Sequence, residues 1–205
     1  MRAFIYTGGE VYPDNITEHP KGDDICIAAD SGYANAKKLG ERVNIFVGDR
    51  DSYFGELPSD IETVELKPEK DLTDTQVAVE IALERGADDI IIIGGLTGRL
   101  DHTMSNLAIL EDAKIRKFHA YIADGRNRVR FIRNDSLLIG RSGYKYLSLI
   151  AADEKVKGVD IKGVKYPLEN ATLKSNFQYA VSNEIEKNCA FISVRKGGLY
   201  VIESV

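Results

Sequence analysis

Strand-like runs separated by helix formers and glycine-containing turns dominate the first 124 residues. The runs are residues 2–7, 25–29, 44–47, 62–66, 90–93 and 119–124. Short apolar runs such as Ile90 to Ile93, which do not alternate with polar residues, are typical of parallel strands buried on both faces. Two helix-forming segments end at the glycine stop signals Gly40 and Gly86. The pattern predicts a Rossmann-like, three-layer α/β/α domain with a mostly parallel sheet.

A longer helix is predicted after Arg99. Its apolar positions Leu100, Met104, Leu107 and Ala108 are spaced so that they form one stripe along the helix. We expect this stripe to face the core of the domain.

The pattern changes near residue 120, and beyond Gly125 no long helical period is present. Short, often β-branched runs take its place, separated by turn signals such as Lys196-Gly197-Gly198. The runs are 128–132, 136–139, 146–151, 156–161, 188–194 and 199–202. Such spacing is typical of a small antiparallel sandwich or barrel. We therefore predict two domains, an α/β domain over 1–124 and an all-β sandwich over 125–205.

Carboxylates recur near the ends of these strands and at the starts of the helices. They are Asp30, Asp49, Asp51, Asp71, Asp74 and Asp101. Because ligands of open α/β sheets bind at the carboxyl ends of the strands, the aspartates are expected to converge on one rim. Converging carboxylates repel each other unless a cation lies between them. Hard oxygen ligands beside glycine-rich turns suit Mg²⁺ that is held together with substrate phosphates.

Two glycine-containing loops follow strands of the first domain. The loop 94–99 follows the most apolar run, and its backbone N–H groups, with Arg99, are expected to cradle phosphate. It lacks the spacing of a Walker A motif. The pair Gly8-Gly9 either lets the backbone approach a ligand closely or is only a turn.

Several of these residues have simpler structural explanations. Asp49 and Asp51 can face one cation because residues two apart in an extended segment point to the same side, but a polar turn is the alternative. Asp30 and Asp74 can be helix caps, and a cap is compatible with function because helix N-termini also favour phosphate. His102 is either a site residue or a surface histidine.

Composition narrows the classes of partner. The chain has 205 residues and a net charge of −5, without a Lys/Arg block, so a nucleic-acid partner is not expected. No apolar run approaches the ~20 residues of a membrane span, and strand-like sequence begins at Ala3 without a signal peptide. The two cysteines make no disulfide framework. We therefore expect a cytoplasmic protein that binds neither nucleic acid nor membrane.

Four motifs, in this order, carry a resemblance to a known family. They are Asp30-Ser31-Gly32, Gly48-Asp49-x-Asp51-Ser52, Lys70-Asp71-x-Thr73-Asp74 and Gly94-Gly95-x-Thr97-Gly98-Arg99-x-Asp101-His102. With Ser182-Asn183-Glu184 in the second half, the series resembles the thiamine pyrophosphokinase (thiamine diphosphokinase) family over nearly the whole chain. Arg50 departs from the family pattern, which more often has an apolar or aromatic residue there.

The resemblance implies a reaction, a cofactor and an assembly. ATP and thiamine would give AMP and thiamine diphosphate, with Mg²⁺ as the cofactor. The first domain would bind nucleotide and metal, the second would bind thiamine, and the active sites would lie at the subunit interface of a homodimer.

The same resemblance assigns roles to individual residues. The metal ligands would be Asp49, Asp51 and Asp74, and these three with Asp101 are the catalytic candidates. The nucleotide would contact Asp30, Ser31, Asp71, Gln76, Thr97, Arg99 and His102. Thiamine would contact Ser182 and Asn183. Transfer of a diphosphoryl group needs positioning and charge neutralisation more than covalent catalysis, and either Asp74 or Asp101 would orient or deprotonate the attacking hydroxyl.

Other functions fit parts of the pattern. A diphosphokinase acting on another alcohol, such as a hydroxymethyl-pterin, would keep the fold and the metal. A phosphatase with an aspartyl nucleophile usually has its Asp-x-Asp motif at the first strand, where this chain has Gly8-Gly9. A non-catalytic nucleotide sensor would bind nucleotide without turnover.

Overall fold

The computed structural model describes residues 1–49, 55–66 and 71–205. Within these ranges the chain forms two compact units, Met1–Gly125 and Arg126–Val205. The first unit combines a parallel sheet with helices, and the second is built from antiparallel strands. The predicted combination of a mostly parallel sheet with antiparallel β-structure is therefore confirmed.

The described part of the first unit contains a parallel sheet of six strands. The strands are β1 (Arg2–Tyr6), β2 (Ile25–Ala29), β3 (Ile45–Gly48), β4 (Glu62–Glu65), β5 (Asp89–Ile93) and β6 (His119–Ala123). Their order is β4-β3-β2-β1-β5-β6. In β5, Ile90, Ile91 and Ile92 are all fully buried although they point to alternate faces, which confirms that both faces of the sheet are covered.

The strand order creates a crevice between β1 and β5. The chain first moves outward from β1 through β2 and β3 to β4, and then returns through a helix to β5 on the other side of β1. The loops after β1 and β5 therefore leave adjacent strands in opposite directions. Such a switch point is where open α/β sheets bind ligands.

Three α-helices of the described ranges belong to this unit, namely α1 (Gly32–Leu39), α2 (Asp74–Glu84) and α3 (Leu100–Arg116), and a short 3-10 helix covers Pro13–Asn15. The predicted glycine stops are confirmed, because Gly40 caps α1 with a φ of 73° and Gly86 follows α2 with a φ of 88°. Tyr33 and Ala36 of α1 pack in one cluster with Phe4 of β1. No helix within residues 1–49, 55–66 and 71–205 is long and apolar enough to cross a membrane.

The apolar stripe predicted for α3 is wrong. Leu100 and Met104 are 74% and 59% exposed, Ala108 is exposed and Leu107 is half-buried. The buried face consists instead of Asn106, Ile109, Leu110 and Ala113. A polar residue within the buried face broke the apolar period, so the pattern of apolar residues alone selected the wrong side of the helix.

The second unit has two antiparallel sheets within the described chain. One has the order β7-β13-β9 and the other β11-β10-β12-β8. The strands are β7 (Asn127–Arg133), β8 (Ser136–Gly140), β9 (Tyr146–Ala151), β10 (Lys155–Lys162), β11 (Leu168–Lys174), β12 (Cys189–Lys196) and β13 (Gly198–Ser204). Buried residues of both sheets, such as Leu149, Ile161 and Leu199, form one core.

Strand β11 is the one element of this unit that the sequence pattern did not predict. Of its seven residues only Leu173 is fully buried, and the others are half-buried or exposed. Because few of its side chains enter the core, its sequence lacks an apolar run. Its place comes from antiparallel pairing with β10, for example Val156 with Leu173.

Candidate functional site

A cleft of about 250 Å³ lies at the carboxyl end of the parallel sheet, at the crevice between β1 and β5. Its walls come from the residues after β1, β2 and β5, from the N-cap of α1, and from the N-terminal parts of α2 and α3. Of the predicted site residues, those that line the cleft are Asp30, Ser31, Asp74, Thr97, Arg99 and His102. Helix N-termini carry partial positive charge, so three of them at one cleft favour an anion.

The first glycine turn (residues 7–9) follows β1 and is held by Asn35 of α1. The Asn35 side-chain amide donates hydrogen bonds to the carbonyls of Thr7 at 2.7 Å and Gly9 at 2.9 Å. Gly32 brings the start of α1 close enough for these bonds, since a Cβ there would lie 2.0 Å from the Tyr6 carbonyl oxygen. Asn35 therefore fixes the turn from the buried side of the helix.

The second glycine turn (residues 94–95) follows β5 and is held in a similar way by Asn106 of α3. The Asn106 amide donates to the Gly95 carbonyl at 3.1 Å, and Gly95 N–H donates to the Gly8 carbonyl at 2.7 Å. Gly94 N–H donates to the Ala123 carbonyl. The N–H groups of Gly94 and Gly95 are therefore occupied by the protein, and the phosphate contacts predicted for the loop 94–99 stay a prediction for its other N–H groups.

Thr97 joins the two loops. Its hydroxyl oxygen accepts a hydrogen bond of 2.6 Å from the N–H of Glu10, just after the first glycine turn. A Cβ on Gly9 would lie 2.9 Å from that hydroxyl, so the contact depends on glycine. The predicted nucleotide residue Thr97 thus lines the cleft and also organises it.

Asp30 is a buried carboxylate at the end of β2, with 8% of its surface exposed. Its φ of 48° is left-handed, a conformation that Asp tolerates better than most residues. The alternative that Asp30 only caps α1 is wrong, because the N-cap is Ser31, which makes no side-chain cap bond. Both residues line the cleft.

The start of α2 is fixed by a capping box. The Thr73 hydroxyl accepts from Gln76 N–H, and the Gln76 side-chain oxygen accepts from Thr73 N–H. Asp74 is therefore the first helical residue and not the cap, and it lines the cleft. The role predicted for Gln76 in nucleotide binding stays a prediction, although its side-chain oxygen already serves the cap.

A buried hydrogen bond ties α2 to β1. The hydroxyls of Thr75 and Thr7 lie 2.9 Å apart, and both residues are less than 8% exposed. Thr75 follows Asp74 directly, so this bond fixes the position of the first turn of α2 relative to the first glycine turn.

Arg99 and Asp101 form an ion pair at the rim of the cleft. The guanidinium donates to both carboxylate oxygens, at 2.6 and 3.2 Å, and each side chain is more than 60% exposed. These bonds, with one from His102 N–H, lower the pKa of the Asp101 carboxyl to about 2. Asp101 is therefore a weak proton acceptor at neutral pH, and it orients Arg99.

The remaining predicted acidic positions are only partly described. Asp51, like Arg50, Ser52 and Lys70, lies outside the described residues. Asp49 follows β3 and is half-buried, and Asp71 is exposed. Across 1–49, 55–66 and 71–205, no three His, Cys, Asp or Glu side chains are grouped closely enough to hold a metal ion. The Mg²⁺ site, which depends on Asp51, stays a prediction.

The second unit has a smaller, apolar pocket of about 140 Å³. Leu147, Leu149 and Ile161 form its floor, and Tyr166 and Tyr179 stand at its walls. Both tyrosines are about half exposed, at 60% and 45%. The pocket therefore offers aromatic surface to a ligand in solution.

Asn183 lines this pocket, and its side chain is occupied by the main chain. The amide oxygen accepts from the N–H groups of Tyr166 and Glu184, and the amide nitrogen donates to the Tyr166 carbonyl at 2.7 Å. Ser182 is exposed and has a left-handed φ of 56°. Of the two predicted thiamine residues, Asn183 thus lines the pocket and positions Tyr166, while Ser182 is exposed and is not among the residues that line the pocket.

Sequence reasoning assigned no role to Asn35, Asn106 or Thr75. Each is less than 10% exposed and each bonds to a glycine turn or to Thr7. The available signal was a polar residue within a helical segment whose neighbours three and four positions away are buried, as with Asn106 before Ile109 and Leu110.

Comparisons with known proteins match both halves of the chain. Residues 18–122 match the family model described as Thiamin pyrophosphokinase, catalytic domain. Residues 136–199 match the model described as Thiamin pyrophosphokinase, vitamin B1 binding domain.

Two curated relatives carry the same description. A thiamine pyrophosphokinase of Bacillus subtilis is 31% identical over 137 residues, which are 66% of this chain and 64% of that protein. Thiamin pyrophosphokinase 1 of Caenorhabditis elegans is 29% identical over 176 residues, which are 82% of this chain and 72% of that protein.

Solved structures show that the fold is shared. The crystal structure of thiamine pyrophosphokinase from Bacillus subtilis aligns with a TM-score of 0.87 at 24% identity, over 100% of this chain and 99% of that one. Thiamin pyrophosphokinase from Geobacillus thermodenitrificans aligns with a TM-score of 0.84 at 26% identity, over 100% and 98%.

Proposed function

Because the chain belongs to the thiamine pyrophosphokinase family, we propose that it transfers the diphosphoryl group of ATP to the hydroxyl of thiamine, which gives thiamine diphosphate and AMP. The family match confirms the resemblance carried by the four motifs. The observation that carries the proposed reaction is the cleft where three helix N-termini and two glycine turns meet. In this proposal 1–124 is a Rossmann-like, three-layer catalytic domain and 125–205 is a thiamine-binding sandwich.

The triphosphate of ATP lies in the cleft of the first unit in this proposal. The N-termini of α1, α2 and α3 supply partial positive charge, and Arg99 supplies a full one at the rim. Ser31 and Thr97 line the same cleft. The further proposed nucleotide contacts are Asp30, Asp71, Gln76 and His102.

Mg²⁺ is proposed to bind Asp49, Asp51 and Asp74. Asp49 directly follows β3, and Asp74 begins α2 and lines the cleft. Carboxylate oxygens fit a hard cation that also binds phosphate, so the described part of the donor set suits the ion. When bound, the ion neutralises charge on the phosphate oxygens. The proposed role of Asp51 as a metal ligand is based on its motif in the sequence.

In the transfer itself, the thiamine hydroxyl oxygen attacks the β-phosphorus of ATP. The bond between that phosphorus and the oxygen shared with the α-phosphate breaks, and AMP leaves with the oxygen. The hydroxyl proton passes to a carboxylate or to water. Asp74 is the better supported acceptor, because Asp101 is paired with Arg99 and has a pKa of about 2.

Thiamine is proposed to bind at the apolar pocket of the second unit. Tyr166 and Tyr179 line the pocket, and aromatic side chains suit a cationic heteroaromatic molecule. Ser182 offers a hydroxyl, and Asn183 holds the main chain of Tyr166. Direct contact of thiamine with Ser182 and Asn183 stays a prediction.

A homodimer with active sites at the subunit interface is also proposed on the family resemblance, and a cytoplasmic location is proposed on the composition of the sequence. Sedimentation at the protein concentration of the assay tests the assembly. A dimer is expected, and a monomer with full activity would contradict it.

Product analysis tests the reaction. Purified protein is incubated with ATP, Mg²⁺ and thiamine, and adenine nucleotides and thiamine esters are resolved. Equal amounts of AMP and thiamine diphosphate are expected. AMP that forms only with a hydroxymethyl-pterin would change the substrate, ADP or phosphate alone would overturn diphosphoryl transfer, and nucleotide binding without turnover would favour a sensor.

A further inference from the structure

We infer that Asn35 and Asn106 are positioning residues that orient the peptide groups of the two glycine turns into an anion-binding nest for the phosphates. The identity of the anion as the triphosphate of ATP rests on the proposed function. The arrangement of the peptide groups rests on the hydrogen bonds of the first unit alone.

Four carbonyl groups of the two turns point toward protein donors. Asn35 donates to the carbonyls of Thr7 and Gly9, and Asn106 donates to that of Gly95. The Gly8 carbonyl accepts from Gly95 N–H. The first turn is therefore held by its three carbonyl oxygens, and the second by the Gly95 carbonyl together with the N–H groups of Gly94 and Gly95.

The direction of the carbonyls determines the direction of the next N–H groups. In a trans peptide the C=O of one residue and the N–H of the following residue point in opposite directions. The N–H groups that follow the four carbonyls are those of Gly8, Gly9, Glu10 and Leu96, and they point away from the clamping groups. The Glu10 N–H donates to the Thr97 hydroxyl, which leaves those of Gly8, Gly9 and Leu96. Within the described ranges none of these three N–H groups donates a hydrogen bond to the protein. Successive N–H groups of this kind form a concave site for anions.

The packing around the amides leaves the turns little freedom. A Cβ on Gly95 would lie 2.4 Å from the Asn106 amide nitrogen, and one on Gly94 would lie 2.7 Å from the Thr7 carbonyl oxygen. Asn106 is 3% exposed and Asn35 is 9% exposed, so neither amide readily exchanges its bonds for water. The nest is therefore formed before the anion arrives, which lowers the cost of binding.

The decisive experiment measures binding of inorganic tripolyphosphate by calorimetry, together with KM for ATP and for thiamine. Asn106→Asp and Asn35→Asp keep the side-chain shape but place acceptor oxygens against the carbonyls. Each is expected to raise the Kd for tripolyphosphate and the KM for ATP by about tenfold or more, with KM for thiamine unchanged. Asn106→Ser, which is smaller and keeps one donor, is expected to show an intermediate loss if the Asp variant does not fold.

Ile90→Val is the matched control. It removes one buried methyl group at the amino-terminal end of β5, away from the cleft, and should lower Tm without changing the Kd for tripolyphosphate. If the asparagine variants lose affinity for ATP and thiamine equally, in step with Tm, the role is only structural and the inference is overturned.

The remaining outcomes separate this inference from the proposed function. The inference is overturned if wild-type protein does not bind tripolyphosphate, or if the variants bind it as well as wild type. This holds even if AMP and thiamine diphosphate are formed. A different result would support the nest and contradict the proposed reaction. In that case the variants bind tripolyphosphate more weakly than wild type, but wild type makes no thiamine diphosphate and KM cannot be measured.

Discussion

The cleft of the first unit and the pocket of the second use buried asparagines in contrasting ways. In the cleft, Asn35 and Asn106 donate to carbonyls of glycine turns, and the surface that they position is main chain. In the pocket, Asn183 both donates to and accepts from the main chain of Tyr166, and the surface that it positions is an aromatic side chain.

The difference follows from the chemistry of the two proposed ligands. A phosphate is small, anionic and rich in acceptors, so backbone N–H groups and helix N-termini suit it. A cationic aromatic molecule needs ring faces and apolar walls. We therefore expect the cleft to be sensitive to any added Cβ, and the pocket to be sensitive to the loss of a particular ring.

The largest effect is expected from Gly95→Ala, which tests the main-chain side of the comparison. The new Cβ would lie 2.4 Å from the Asn106 amide nitrogen at a φ of 73°, so the turn must move. We expect kcat/KM for ATP to fall by about 100-fold, as for an ångström-scale misplacement. Gly140→Ala is the control, because a Cβ there meets no atom within 4 Å. Equal activity of the two variants would contradict the expectation that the cleft is sensitive to an added Cβ.

Asp74→Asn is expected to have an effect of similar size, because it removes a proposed metal ligand and proton acceptor at the start of α2. The amide keeps the side-chain shape, so Tm should change little while kcat falls by about 10²-fold. Asp23→Asn, an exposed position before β2, should leave kcat unchanged. Full activity of Asp74→Asn would remove this carboxylate from the site.

Tyr166→Ala sharpens the side-chain half of the comparison. We expect KM for thiamine to rise by about five- to tenfold, which corresponds to about 1 kcal/mol of lost ring contact, with KM for ATP unchanged. Phe191→Ala removes an exposed ring on β12 that does not line the pocket, and should leave both values unchanged. A rise in KM for ATP in Tyr166→Ala would show that the two sites do not divide the substrates in this way.

The smallest effect is expected from Asp101→Asn, and it is tested through the pH dependence of kcat/KM. Arg99 lowers the pKa of the Asp101 carboxyl, so the folded state favours the ionised form. The ion pair therefore stabilises the folded state above the ordinary pKa of 3.8, and this stabilisation is lost as the pH falls toward about 2. Asp101 therefore does not titrate between about pH 4 and about pH 9. Asp101→Asn should leave the acid limb of the kcat/KM profile in place, and a displaced limb would restore Asp101 as the catalytic base.

Much of the fold was predictable because its signals are local. The buried run Ile90 to Ile93, the stops at Gly40 and Gly86, and the start of α2 near Thr73 and Asp74 all depend on neighbouring residues. The predictions failed where burial depends on distant packing. Strand β11 has almost no buried side chains, and α3 buries the polar Asn106 in place of Leu100 and Met104.

The candidate site divides in the same way. The motifs and their order were enough to assign the family, to place Asp74 and Arg99 near the starts of helices, and to predict a glycine-rich loop after β5. Those features depend on short stretches of consecutive residues. The metal and ligand roles remain predictions.

Only the tertiary structure decided which groups meet across the cleft. Asn35 reaches Gly9 across 26 positions of the chain, and the Thr7–Thr75 bond spans 68. The occupied N–H groups of Gly94 and Gly95 also depend on strands that are distant in sequence. A residue type and its neighbours determine helix and strand formation, but the partner of a buried polar group is determined by how separate segments pack, because each such group must find its partner wherever burial places it.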